Sequence, residues 1–183
     1  MQRTASSEKF PLGVKLPEFS LLGTDGAWHG SDDLKNAKAA LVIFTCNHCP
    51  YVKGSEEMLI AIVNKFKSQG LITLAINAND AAQYPEDSFE MMQAKAKNMN
   101  LPYFYLHDEK QIVAKAFDAA CTPECYLFDS SLNLAFHGTI SDNVRDARAV
   151  KKDYLTAAIS QVLRKQVCDP SYVHPVGCSI KWR

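Results

Sequence analysis

The stretch Thr45-Cys46-Asn47-His48-Cys49-Pro50-Tyr51 stands where an apolar run of strand character, Ala39 to Phe44, gives way to a long amphipathic helical pattern. Two cysteines spaced Cys-x-x-Cys at a strand-to-helix turn have the spacing of a redox-active dithiol. The turn predicts Cys46 at the helix N-terminus, where unpaired backbone N–H groups and the helix dipole favour thiolate over thiol. Cys49 follows one turn further in, close enough to attack a mixed disulfide at Cys46 and close an intramolecular disulfide. Such a reversible Cys46–Cys49 disulfide needs no cofactor, and no metal is expected.

Working outward, Met58, Leu59, Ile62, Val63 and Phe66 recur at i, i+3, i+4 spacing, and Gly70 supplies a stop. Leu71 to Ile76 is a second buried-strand run. Strand, helix, strand predicts a right-handed parallel crossover with the dithiol at the carboxyl end of its first strand, the edge where reaction sites gather in open α/β sheets. Upstream, Val14 to Leu22 and Ala27 to His29 flank the turn Gly23-Thr24-Asp25-Gly26 and predict a β-hairpin. Downstream, Asn77 to Pro85 reads as a polar loop, and Asp87 or Ser88 caps a helix from Phe89 to about Asn98. Tyr103 to Leu106 is strand-like, Gln111 to Phe117 a short helix, and Glu124–Asp129 with Leu134–Gly138 an antiparallel hairpin. A last helix is expected from about Ala149 to Lys165.

The 183 residues are 47% hydrophobic and 22% charged, without repeats or Gly/Ser-rich tracts, which fits one globular domain with a full core. The division expected is an N-terminal extension, 1–12, a domain over 13–165, and a tail over 166–183 that packs on it. Lys+Arg and Asp+Glu both total 20 and are interspersed, which argues against nucleic acid or an anionic membrane as partner. Met1 to Lys9 lacks the apolar segment of a secretory signal, and no apolar run reaches membrane-spanning length, so a cytoplasmic protein is expected. In that reducing compartment six cysteines read as free thiols plus one catalytic pair.

The second informative motif is Cys121-Thr122-Pro123-Glu124. A cis proline at this strand threshold would expose the Thr122 backbone beside the dithiol, as a main-chain edge on which a substrate's extended segment pairs while its cysteine meets Cys46. An ordinary trans proline at a strand start is the other reading. His48 between the two cysteines can stabilise the Cys46 thiolate and so make the pair a better oxidant, or point to solvent and shift little. Cys46, Cys49, Cys121 and Cys125 also have the count for a zinc site, although Cys125 inside a strand would have to converge with the rest. Cys125 otherwise reads as a small core residue, and Cys121 as packing or a third redox thiol. Cys178 can fold over the site as an additional resolving thiol, close a disulfide with Cys168, or leave the tail held by Ile180 and Trp182 alone. His29, His107, His137 and His174 lie in separate segments with no ligand spacing.

With these motifs in hand, the chain resembles the thioredoxin fold, and more closely the peroxiredoxin-like branch of thioredoxin-fold redoxins, related to alkyl hydroperoxide reductase and thiol-specific antioxidant. The resemblance rests on Cys46-Asn47-His48-Cys49-Pro50-Tyr51-Val52, on Ala75-Ile76-Asn77-Ala78-Asn79-Asp80 with Tyr84-Pro85-Glu86-Asp87, on Ala119-Ala120-Cys121-Thr122-Pro123, and on Gly177-Cys178-Ser179-Ile180-Lys181-Trp182. It implies a central mixed sheet flanked by helices, with the hairpin as an N-terminal addition. It also implies Cys46 as attacking thiol, Cys49 as resolving thiol and Pro123 as a facing cis proline. Two departures qualify it. Peroxiredoxins carry a threonine three residues before the peroxide-reducing cysteine, but here Ile43 precedes Cys46 and Cys46 precedes Cys49. Thioredoxins carry a buried carboxylate in the strand before the dithiol, and Leu41 to Phe44 has none. The function expected is thiol–disulfide oxidoreduction on protein or small-molecule disulfides, with a cellular dithiol as reductant. The alternatives are a thiol-dependent peroxidase and a non-catalytic metal-binding or redox-sensing module.

Overall fold

The computed structural model describes residues 10–183. Residues 1–9 of the expected N-terminal extension lie outside them. In chain order the strands and helices are β1 (Ser20–Gly23), β2 (Trp28–Gly30), β3 (Ala39–Phe44), α1 (Pro50–Phe66), β4 (Leu71–Asn77), α2 (Phe89–Met99), β5 (Phe104–His107), α3 (Ile112–Ala116), β6 (Cys121–Thr122), β7 (Glu124–Asp129), β8 (Leu134–Gly138), α4 (Tyr154–Leu163), β9 (Tyr172–Val173) and β10 (Cys178–Ser179). Eight strands form one mixed sheet in the order β2-β1-β5-β4-β3-β7-β8-β9, and β10 pairs with β6 in a separate ribbon. This is a thioredoxin-like α/β architecture, with the β1–β2 antiparallel hairpin added at one edge.

β3 is central because every one of its side chains is apolar and buried. The strand period of two then splits them between the faces of the sheet. Ala39, Leu41 and Ile43 meet Leu59, Ile62, Val63 and Phe66 of α1 and Leu155, Ala158 and Ile159 of α4, whereas Ala40, Val42 and Phe44 meet Val113 and Ala114 of α3 and Phe117. β3 runs parallel to β4 and antiparallel to β7, so Phe44 lies opposite Glu124. That register brings the Cys46–Cys49 turn and the Thr122–Pro123 turn to the same end of the sheet. Gly70, at φ 105°, ends the helical segment after α1 in the left-handed conformation that glycine adopts without a Cβ penalty.

Two local readings are corrected by the structure. α1 begins at Pro50 with Cys49 as its N-cap, so Cys46 stands three residues ahead of that N-cap and Cys49 is not a turn inside the helix. Proline at the first helical position explains this start, since its missing N–H would have no helical partner there. α4 begins at Tyr154, not near Ala149: Asp153 accepts from the Thr156 amide at 2.9 Å and bridges to Ser141. The tail contains two strands, β9 extending the sheet beside β8 and β10 on β6. No helix among the described residues is long and apolar enough to cross a membrane.

Candidate active site

Cys46 and Cys49 are both completely buried, packed with Val52, Tyr51 and Cys178. The Thr122–Pro123 peptide is cis, as is Asp169–Pro170. Thr122 touches both sulfurs: its hydroxyl is 3.4 Å from Cys46 Sγ and its carbonyl 3.2 Å from Cys49 Sγ. Its remaining edge is taken, because Cys178 pairs with Thr122 and Ser179 with Cys121. The expected open main-chain edge for a substrate segment is therefore filled by the chain's own tail. Gly177 permits this contact, since a Cβ there would lie 2.1 Å from the Thr122 carbonyl oxygen.

Two carboxylates that sequence reasoning missed hold the two turns. Asp87 lies on the loop after β4, fully buried. Its Oδ1 accepts from the amides of Asn47 at 2.6 Å and His48 at 3.2 Å. Its Oδ2 meets His48 Nδ1 at 2.6 Å and accepts from Asn79 Nδ2 at 2.7 Å. The His48 ring stacks on Tyr84 and is not turned out to solvent. Glu124, equally buried, accepts from the amides of Ala120 at 2.7 Å and Cys121 at 3.1 Å, and meets Tyr126 at 3.0 Å and His137 at 2.7 Å. The cue for Asp87 was its place in a polar loop at the carboxyl edge of β4; for Glu124 it was an acid opening an otherwise apolar strand. Lys95, also missed, donates to the Cys46 carbonyl at 3.2 Å and pairs with Glu56.

Burial and neighbouring groups set the two sulfurs apart. Cys46 is pushed well above the ordinary thiol range by the hydrogen bond it gives to Cys49, by burial and by the Asp87 carboxylate. Cys49 is pulled down by the Cys46 thiol against the cost of burial, with the Cys178 thiol and the amides of Val52 and Cys178 adding to the effect. The Thr122 carbonyl acts the other way, since it takes a hydrogen bond only from protonated Cys49. The helix end thus favours a thiolate on Cys49, and the Asp87 carboxylate disfavours one on Cys46.

The other cysteines separate. Cys125 lies in the core with Ile43, Leu127 and Phe136, so it does not converge with Cys46, Cys49 and Cys121 on a zinc ion. Burial holds the thiols of Cys121 and Cys125 far above the ordinary range. Cys168 is buried against the carbonyl of Ala158, whereas Cys178 sits at the dithiol, so these two do not form the disulfide considered from sequence. Cys46, His48 and Asp87 bring a sulfur, a ring nitrogen and an oxygen within 4.8 Å of one another. Asp87 already has four hydrogen-bond partners there, which suits it to holding the turn.

Residues 12–137 match the AhpC/TSA family. The chain belongs to that family. Across its whole length, this AhpC/TSA member is 38% identical to an uncharacterized conserved protein from Geobacillus kaustophilus, of which 98% is covered, with a TM-score of 0.92. It is 34% identical to a hypothetical protein from Sinorhizobium meliloti 1021, covering 96% of this chain and 97% of that one, with a TM-score of 0.90. The thioredoxin domain of a thiol-disulfide oxidoreductase from Bacteroides vulgatus shares the fold at 15% identity, with 74% and 93% of the two chains covered and a TM-score of 0.62. No curated protein matches the chain. Membership of the AhpC/TSA family supports a redox enzyme.

Proposed function

We propose that this AhpC/TSA member is a cytoplasmic thiol–disulfide oxidoreductase in which Cys46 and Cys49 cycle between dithiol and disulfide, restored by a cellular dithiol. The observation that carries this reading is the placement of both sulfurs against Thr122, at the carboxyl edge of the central strands, with a negative charge favoured on one of them. The reduced pair then holds one proton, on Cys46, and one charge, on Cys49. Reaction with a disulfide forms a mixed disulfide with one substrate sulfur and displaces the other as thiolate. Closure of the Cys46–Cys49 bond releases the second substrate thiol, which takes the Cys46 proton. Two electrons pass to the substrate and none is left over.

A redox titration in glutathione buffers tests it, on protein checked for bound metal. A two-electron transition is expected, and it is abolished in Cys49→Ser, which lacks the sulfur that carries the charge. Absence of any transition, or stoichiometric zinc on both thiols, overturns it. The AhpC/TSA family suggests peroxide as a second substrate class, with a thiolate oxidised to sulfenic acid and a neighbouring thiol condensing with it. Ile43, three residues before Cys46, is a core residue and offers no hydroxyl to polarise peroxide. Hydrogen peroxide consumption with dithiothreitol, compared between wild type and Cys49→Ser, decides that reading.

A further inference from the structure

The dithiol is fully buried, and of the six cysteines Cys178 alone is not. It packs against Cys46 and Cys49 from outside, on a strand paired with Thr122, in the place a substrate cysteine would take if an extended segment lay on that edge. The tail is fixed there on both sides of the cysteine. Before it, Gly177 lies directly on the Thr122 carbonyl. After it, the Ile180 amide donates to Ala120 at 3.1 Å, and the Lys181 backbone exchanges hydrogen bonds with Asn79 and Asp80 at 2.9 Å each.

Building on the reading of Cys46 and Cys49 as a redox pair, we propose that Cys178 is a third redox thiol, which draws the disulfide outward onto a Cys49–Cys178 bond and presents it to the reducing dithiol. In the first step the Cys178 sulfur bonds to Cys49 Sγ, the Cys46–Cys49 bond breaks, and the Cys178 proton passes to Cys46. This exchange changes no oxidation state. In the second, a thiolate of the reductant bonds to Cys178 Sγ and Cys49 leaves as thiolate. In the third, the reductant's other thiol bonds to its own first sulfur, closing the reductant's disulfide and returning Cys178 as a thiol after proton transfer. The enzyme gains two electrons and the reductant loses two.

The surroundings of the sulfurs favour this direction. Burial and the Asp87 carboxylate, which remain when Cys49 is in a disulfide, favour Cys46 ending the first step as a thiol, and Cys49 is the stabilised leaving group of the second, the property that speeds thiol–disulfide exchange. Cys178 itself is pushed up to about 11 by burial and by its hydrogen bond to Cys49, with Lys181 and Arg145 opposing the rise.

The test uses the full chain, reduced and then treated with one equivalent of glutathione disulfide, with free thiols trapped in acid and disulfides mapped by mass spectrometry. Wild type is expected to hold both Cys46–Cys49 and Cys49–Cys178 bonds, and Cys46→Ser to close Cys49–Cys178 without retaining glutathione. Cys178→Ser is expected to keep Cys46–Cys49 and to be reduced by dithiothreitol about tenfold more slowly than wild type. Gly177→Ala, which drives a methyl into the Thr122 carbonyl, is expected to lose the Cys49–Cys178 bond while its thiol remains. Glutathione left on Cys49 or Cys178 of Cys46→Ser, or wild-type reduction of Cys178→Ser, overturns the proposal. Wild type holding only Cys49–Cys178 instead overturns the Cys46–Cys49 reading and leaves Cys178 a redox thiol.

Discussion

Asp87 and Glu124 are two fully buried carboxylates with nearly the same surroundings and different neighbours. Each accepts two successive backbone amides, each meets a histidine, and each of those histidines stacks on a tyrosine, His48 on Tyr84 and His137 on Tyr126. Asp87 holds the Cys46–Cys49 turn from a loop, with its charge close to Cys46. Glu124 holds the Cys121–Thr122 segment from a central strand, beneath Tyr126. One device thus serves two purposes: Glu124 fixes backbone, whereas Asp87 also sets the charge that the dithiol feels.

The largest effect expected is at Glu124. Glu124→Ala strands the His137 ring and two amides in the core, and is expected to cost about 3–5 kcal/mol in urea unfolding of the reduced protein while leaving the redox midpoint nearly unchanged. Asp87→Asn removes a negative charge that lies beside the dithiol and repels the thiolate of the reduced pair. The reduced form gains, and the midpoint is expected to rise by about 30 mV, equivalent to about 1.4 kcal/mol for two electrons. A midpoint shift as large in Glu124→Ala as in Asp87→Asn would erase the distinction.

A third measurement sharpens which sulfur feels that charge. Thiolate absorbance of the reduced protein is expected to persist below the ordinary cysteine titration near pH ~8.5, to vanish in Cys49→Ser and to remain in Cys46→Ser. Because the folded pKa of Cys49 is depressed, its contribution to stability is fully present above the ordinary thiol pKa and is lost as pH falls through the lower folded value. Loss of the signal in Cys46→Ser but not in Cys49→Ser would restore the polarity expected from sequence. The smallest effect belongs to the histidines. His48 is partly open to water at 18% side-chain exposure, so His48→Ala is expected to cost about 1 kcal/mol or less, and less than His137→Ala, where exposure is 4%.

What the sequence made legible was local. The apolar run of β3, the helical spacing of α1 and the Cys-x-x-Cys between them are read within some thirty residues, and they place the dithiol at a sheet edge. The carboxylates were hidden because their partners are distant or ambiguous: Asp87 meets Asn47 across 40 residues, and an acid before Ser88 reads equally well as a helix cap. Ser88 takes the capping role instead, accepting from the Met91 amide. The start of α1 was displaced by three residues because Pro50 decides it, which makes Cys49 and not Cys46 the N-cap. The pairing of β10 with β6 was not legible, since a two-residue strand leaves no periodicity to detect.

The graded burial of the six cysteines also makes the protein its own clock. Cys178, at the surface, should react with a small alkylating agent through minor fluctuations of the tail. Cys46 and Cys49 react only when that tail lifts. Cys125, enclosed in β7 between β3 and β8, waits for separation of the sheet itself. Labelling rates read residue by residue would therefore span local opening to global unfolding in one sample, with no probe added to the chain.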